Sequence, residues 1–146
     1  MKSLSENKRA RFDYAIEETL EAGIELRGFE VKSAKAGRLN LAGSYGVIRG
    51  NELWLLNSQI PAYQPKNAPP DYDPSRSRRL LLHKDETKRL IGLLKEKRVT
   101  LVALHSYLKG NLVKIALGVG RSKKKSDKRE TIKKREAERE MRRAEG

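Results

Sequence analysis

VTLVALHSYLKGNLVKIALGV, residues 99–119, is the stretch on which the fold turns. Val99–Leu108 and Leu112–Val119 are apolar runs rich in β-branched residues, a composition that suits pleated strands. Lys109-Gly110-Asn111 lies between them, and Gly and Asn tolerate the backbone angles of a tight turn, so the stretch predicts a hairpin. Immediately upstream, Leu90, Ile91, Leu93 and Leu94 repeat at helical spacing among Lys and Glu. They predict an amphipathic helix from about Lys84 to Lys97, with Asp85 suited to cap its start or favour its first turn.

Ser44–Arg49 and Glu52–Gln59 predict another hairpin about Gly50-Asn51. Trp54 sits in its second strand, where core packing is the first reading and a base-stacking platform the second. In Phe12–Arg27, apolar Tyr14, Ile16, Leu20, Ile24 and Leu26 fall on even positions, the period of a strand with one buried face. Helix competes over 14–22, because EETLEA contains good helix formers. Glu30–Ala36 predicts a short helical turn stopped by Gly37. Residues 61–79 hold all five prolines and read as a loop, and residues 1–11 read as a flexible polar lead-in. Strand, hairpin, long loop, one helix and hairpin together fit a mainly β fold, a small closed barrel capped by the helix. The oligonucleotide-binding barrel is the commonest such architecture, and a plain α+β sheet is its rival.

Charge indicates the partner. The formal net charge is +14 on 146 residues. Residues 121–146 contain twelve Lys and Arg against six Asp and Glu, hence +6, which leaves +8 for residues 1–120. The last 26 residues have too little apolar surface to offset the entropy of ordering them, so the expectation is a folded domain over 1–120 and a mobile cationic tail over 121–146. A basic body trailing a basic arm fits a polyanion, above all nucleic acid. Charge that serves only solubility is the bland alternative.

Other classes find little support. The chain has no cysteine, which excludes disulfides, thiolate zinc sites and cysteine nucleophiles. No apolar run approaches the ~18 residues of a membrane span. MKSLSENKRARFDYAI lacks the apolar core of a secretory signal, so the expected compartment is the cytoplasm. His83 and His105 belong to no metal-spaced cluster, and adjacent Glu17 and Glu18 point to opposite faces of a strand. No catalytic residue, metal or cofactor is expected, although scattered carboxylates leave a metal-dependent nuclease formally open. Arg76, Arg78 and Arg79, beside Tyr63 and Tyr72, form a loop suited to phosphate and base contacts, and Asn7, Lys8, Arg9 and Arg11 form another basic stretch. Either also reads as a solvated surface.

Five segments occur in one order: NKRARFDY (7–14), EAGIELRGFEVKSAKAG (21–37), DPSRSRRLLLHK (73–84), VTLVALHSY (99–107) and SDKRETIKKRE (126–136). Together they resemble the SsrA-binding protein family, also called small protein B. The resemblance implies an oligonucleotide-binding barrel that binds the tRNA-like part of transfer-messenger RNA. It further implies delivery of that RNA to ribosomes stalled on messages without stop codons, where the nascent chain is tagged for degradation. It implies no enzymatic activity, and a C-terminal tail that is disordered when free and helical in the ribosome's vacant message channel, near the decoding centre. A monomer is expected in free solution.

By the same resemblance, Glu21, Leu81 and His83 match RNA-binding positions, and Gly23, Glu30, Lys32 and Ser33 match the signature around the barrel. In the tail, Lys123 and Lys124 match a basic pair, and Asp127, Lys128 and Arg129 match an Asp-Lys-Arg element. Lys133 and Arg135 follow on the same tail. Three departures stand out. Ser126 occupies a place where many members have an aromatic residue or His, Phe12 one where His is frequent, and Ala34-Lys35 replaces Leu-Arg. Glu130–Lys134 and Glu138–Arg142 are i, i+4 pairs worth only ~0.3 kcal/mol each, and Ile132, Ala137 and Met141 make no continuous stripe. A helix there is marginal without a partner. The rival to the whole reading is a structural ribosomal or general RNA-coating protein.

Overall fold

The computed structural model describes residues 2–96 and 98–145. In chain order they form β1 (Lys2–Glu6), α1 (Lys8–Asp13), β2 (Tyr14–Ile24), α2 (Gly28–Lys35), β3 (Tyr45–Arg49), β4 (Glu52–Leu56), a 3-10 turn at Pro65–Asn67, β5 (Arg78–Leu81), α3 (Lys84–Glu96), β6 (Thr100–Lys109), β7 (Leu112–Ser122) and α4 (Lys125–Glu145). The 99–119 stretch is the expected hairpin, paired from Thr100↔Gly120 to Lys109↔Leu112 with one register shift between Ala103 and His105. The first hairpin is present too, with Arg49↔Glu52 next to the turn and Gly50 at φ 62°, an angle that costs glycine little.

The sheet order is β1-β6-β3-β4-β5-β2-β7, and β6 also pairs with β7, so six strands close into a ring. This closure pairs those six strands around the ring, leaving β1 as an edge strand, and fits an oligonucleotide-binding type of barrel. The upper part of β6 pairs with β3, and β1 extends the same edge from Lys2↔Leu108 to Glu6↔His105. Leu53, Leu55, Leu101, Ala103, Ile115 and Leu117 fill the interior, each at most 1% exposed. Leu90 of α3 is fully buried with Ile91, Leu93 and Leu94 packed around it, so the helix sits on the barrel by its apolar face as expected. Lys97, where the sequence reading ended this helix, lies outside the described residues.

Several expectations change. Residues 1–11 are not a loose lead-in: β1 joins the sheet, and Asn7 donates from Nδ2 to the carbonyls of Leu41 (3.0 Å) and Ala103 (2.9 Å). The even positions of β2 do not share one face. A register shift between Ile16 and Glu18 puts Tyr14 and Ile16 in a small outer cluster under α1 with Ala10, Val102 and Leu104, while Leu20, Ala22 and Ile24 join the main core. The proline-rich segment ends in a strand, since β5 begins at Arg78. Trp54 is half-buried on the outer face, because its neighbours Leu53 and Leu55 take the core positions.

Helices also stand outside α3. The turn expected at Glu30–Ala36 is an eight-residue helix, Gly28–Lys35, with Ala36 as its C-cap, and residues 125–145 form one of 21 residues. The base of α4 meets partners the tail sequence does not itself contain. Lys123 N–H donates to the Asp13 carbonyl (2.9 Å), and Lys128 Nζ lies 3.4 Å from Asp13 Oδ1. Arg9, Lys128 and Arg135 stand 5.0, 5.8 and 5.7 Å from the centre of the Phe12 ring.

Candidate nucleic-acid interface

Strand register assembles the site. Gly23 of β2 is opposite Leu81 of β5 on one side and Lys114 of β7 on the other, and Lys114 is opposite Tyr107 of β6. Directly paired residues share a face, so Leu81, Gly23, Lys114 and Tyr107 form one row outside the barrel. The next row is Glu21, Ala116 and His105. Leu81 is 42% exposed, unusual for a leucine at the middle of a sheet. Gly23 keeps it seated: a Cβ there would lie 3.2 Å from Leu81 Cβ. His83 follows Leu81 at the start of α3, where its carbonyl accepts from Thr87 N–H (2.9 Å).

Glu21 is a carboxylate held in place on this face. The Tyr107 hydroxyl donates to one of its oxygens and Lys109 Nζ lies 3.2 Å from the other. The Tyr107 hydrogen bond first, then Lys109, hold its carboxyl below the usual range despite some desolvation. Burial and the Glu21 carboxylate in turn push Tyr107 up to about 12, so the phenol stays a neutral donor. The carboxylate retains lone pairs to accept from a base amino group or a ribose hydroxyl.

A groove of about 350 Å³ runs along this face between Arg11, Thr19, Glu21, His105, Tyr107 and Ala116. It adjoins a second depression of about 320 Å³ that shares Arg11, Leu104 and His105 and reaches Lys8, Arg135 and Arg139. The body face and the root of the tail therefore meet at Arg11. The tail residue Arg135 belongs to this meeting point, whereas Lys124, just before α4, and Arg129 and Lys133 along it are exposed. Lys123 Nζ is engaged by Thr131 Oγ1 (2.9 Å), and Asp127 Oδ2 accepts from Lys124 N–H (3.2 Å) at the helix start.

A different set is buried. Glu30 and Arg78 are fully enclosed, 2.6 Å apart at their closest. Arg78 also donates to Ser58 O and Oγ, the Arg76 carbonyl, Tyr72 Oη and the Pro74 carbonyl, all at 3.0–3.1 Å. Arg76 pairs with Glu30 from the other side, and Arg27 N–H donates to Glu30 Oε1 (2.8 Å). Phe29 meets the Tyr72 ring edge-on at 4.7 Å. These bonds tie the proline-rich loop to α2 and the end of β4. Arg78, expected to contact RNA, has no exposed surface with which to do so. Glu30 and Ser33 are likewise enclosed, and Asn7 is spent on the backbone of the body. Their places in the fold are those of residues that shape the surface. Lys32, by contrast, is exposed beside Gly28, Phe29 and Tyr63.

The Glu30 cluster makes stability depend on acid. Burial raises the Glu30 carboxyl, but hydrogen bonds from Arg76, the Arg27 backbone and Arg78 outweigh it and hold the group at about 2, against 4.5. The unfolded chain therefore takes up this proton first. The contribution is complete above about pH 4.5 and drains away as pH falls toward about 2. The expected result is a wild-type urea midpoint well above that of Glu30→Gln at about pH 6, with the gap narrowing toward about pH 2.5. A constant gap would mean that the carboxylate charge is not what the cluster uses.

Sequence reasoning missed His105, Tyr107, Lys109 and Lys114. A register shift between Ala103 and His105 makes Leu104 and His105 both face outward, so strict alternation from Leu101 misplaces everything after it. Nothing in VALHSY marks a bulge. Among the described residues no group of three His, Asp or Glu side chains is placed to hold a metal, and no helix is long and apolar enough to cross a membrane.

The family model for SmpB protein matches residues 4–145. The chain is 49% identical over 144 residues to the SsrA-binding protein of Synechocystis sp., covering 99% of this chain and 94% of that protein. It is 49% identical over 143 residues to the SsrA-binding protein of Geobacillus sp., covering 98% and 92% respectively. A solved chain described under the words "tmRNA-SmpB: a journey to the center of the bacterial ribosome" is similar at TM-score 0.68 and 42% identity, over 89% of this chain and 95% of that one.

Proposed function

The chain belongs to the SmpB family, and from that premise we propose that it binds the tRNA-like domain of transfer-messenger RNA and delivers it to stalled ribosomes for rescue and tagging. The observation that carries the reading is the outer sheet face. An exposed leucine, a carboxylate fixed by Tyr107 and Lys109, and His83 stand together on a basic surface. Leu81 offers an apolar surface to a base, Glu21 accepts from a base or ribose, and Arg11, Lys109 and Lys114 neutralise phosphates. Gly23 keeps the face flat. Lys8, Arg9, Lys32 and Arg76 are proposed as outlying contacts. The division is a body that grips RNA and, beyond the end of β7 at Ser122, two residues later than the sequence boundary at 120, a tail, disordered when free, that becomes helical in the message channel. There Lys123, Lys124, Asp127, Lys128, Arg129, Lys133 and Arg135 meet ribosomal RNA. The protein works in the cytoplasm as a monomeric adaptor with no catalytic residue.

Gel-shift titration tests this. Glu21→Ala is expected to weaken affinity for the tRNA-like RNA roughly 10- to 100-fold, the scale of one hydrogen bond to a charged group. Leu81→Asp, which sets a carboxylate among phosphates, should weaken it at least as much. Wild-type affinity in both variants would remove these positions from the interface. An unrelated RNA of equal length that competes equally well would favour the coating-protein reading instead.

A further inference from the structure

The outer face continues past Leu81 onto strands that the RNA-binding reading leaves unused. Two residues back along β5, Arg79 is opposite Trp54 of β4, and Trp54 is opposite Val47 of β3. Leu53 and Leu55 point inward, so Trp54 faces out, half-buried. The Arg49 guanidinium lies 5.6 Å from the centre of its ring. Tyr45, 36% exposed and two residues before Val47, lies on the same face opposite Leu56. The result is an aromatic and apolar strip, Tyr45, Val47, Trp54 and Leu56, bordered by two arginines. Arg79 is braced by Glu25 (2.9 Å) and Glu52 (2.8 Å), which fixes its position beside the indole.

A large ring on a solvent face of a chain at net charge +14 has one chemistry that uses all of these groups. Nucleobases stack on aromatic side chains, and arginine supports both the ring and the adjoining phosphate. Because the strip shares β5 with Leu81, an RNA lying on the Glu21–Leu81 face reaches it by way of Arg79, past a cleft of about 680 Å³ lined by Arg79, Leu81 and Glu52. We propose that Trp54 is a stacking platform for an unpaired base of the tRNA-like RNA, with Arg49 as its cationic brace. The proposal rests on the RNA-binding reading and extends its surface by two strands.

Trp54 is the only tryptophan of the chain, so the emission of the full-length protein reports this site alone. Titration with the tRNA-like RNA should quench that emission by about half or more, with the same midpoint as the gel shift, since a stacked base is a contact quencher. Trp54→Ala should weaken affinity roughly 5- to 150-fold, Trp54→Phe much less, and Arg49→Ala several-fold with the ring intact. Should Trp54→Ala prove misfolded by circular dichroism, quenching in the unaltered protein and the Arg49→Ala titration decide. A gel shift without change in emission overturns the platform and leaves RNA binding standing. Quenching that appears only with ribosomes and not with the free RNA also overturns it. Failure of any gel shift overturns both readings together.

Discussion

Replacing Arg78 with alanine is expected to lower the unfolding free energy by about 3–5 kcal/mol, the usual effect of removing one member of a buried ion pair. The cost is high because the substitution does more than delete a contact. Glu30 has no exposed surface and would keep its charge or take up a proton against its remaining donors. Ser58, Tyr72 and the Pro74 carbonyl would lose their donor at the same time. A lysine at 78 restores charge without the planar fork that reaches all of these groups, so Arg78→Lys should recover only part of the loss. Urea unfolding at neutral pH measures both variants. A loss under about 1 kcal/mol for the alanine variant would mean that the cluster relaxes freely, contrary to its close packing. Since the cluster anchors residues 61–77, the same variant should open that loop to proteolysis before the barrel unfolds.

Changing Asp127, Lys128 and Arg129 to alanine together should leave affinity for the tRNA-like RNA within about twofold and abolish tagging on stalled ribosomes. Asp127 and Arg129 are exposed on α4, outside the two adjacent rows that hold Leu81 with Gly23 and Glu21 with His105. Lys128 is the complication, because it also touches Asp13 and the Phe12 ring. Asp13→Asn separates the two roles: it removes the ion pair at the tail's root and keeps all three tail residues. If tagging depends on contacts the tail makes with the ribosome, Asp13→Asn should retain it. Equal loss of RNA binding and tagging in the triple variant would argue against a separate task for the tail.

The hairpins and the single apolar stripe of α3 were legible because each rests on a periodic pattern or a turn residue within a short window. Features set by contacts between distant segments were not. Asn7 looks like part of a basic stretch until the backbone of Leu41 and Ala103 arrives beside it. Arg78 reads as one of three surface arginines until Glu30, 48 residues away, claims it. The shifts at Ile16/Glu18 and Ala103/His105 reverse which residues face outward, and no local composition announces a bulge. Glu21, Leu81 and His83 came from family resemblance, and register explains why they form a set: Gly23↔Leu81 brings the two segments together. Helix α4 was the hardest to anticipate, since Phe12 and Asp13 are supplied from the far end of the sequence.

The enclosure of Arg78 and Glu30 carries a practical consequence. Mobile ions screen exposed charges over about 8 Å at physiological ionic strength but hardly penetrate a sealed pair. Surface bridges such as Arg89–Glu18 and Arg121–Glu17 lie within reach of added electrolyte, and so do the lysines facing the polyanion, while the internal clasp does not. The molecule thus divides its charges into those a salt gradient addresses and those it ignores. Loss of affinity along such a gradient then reports counterions returning to the nucleic acid rather than a barrel coming apart.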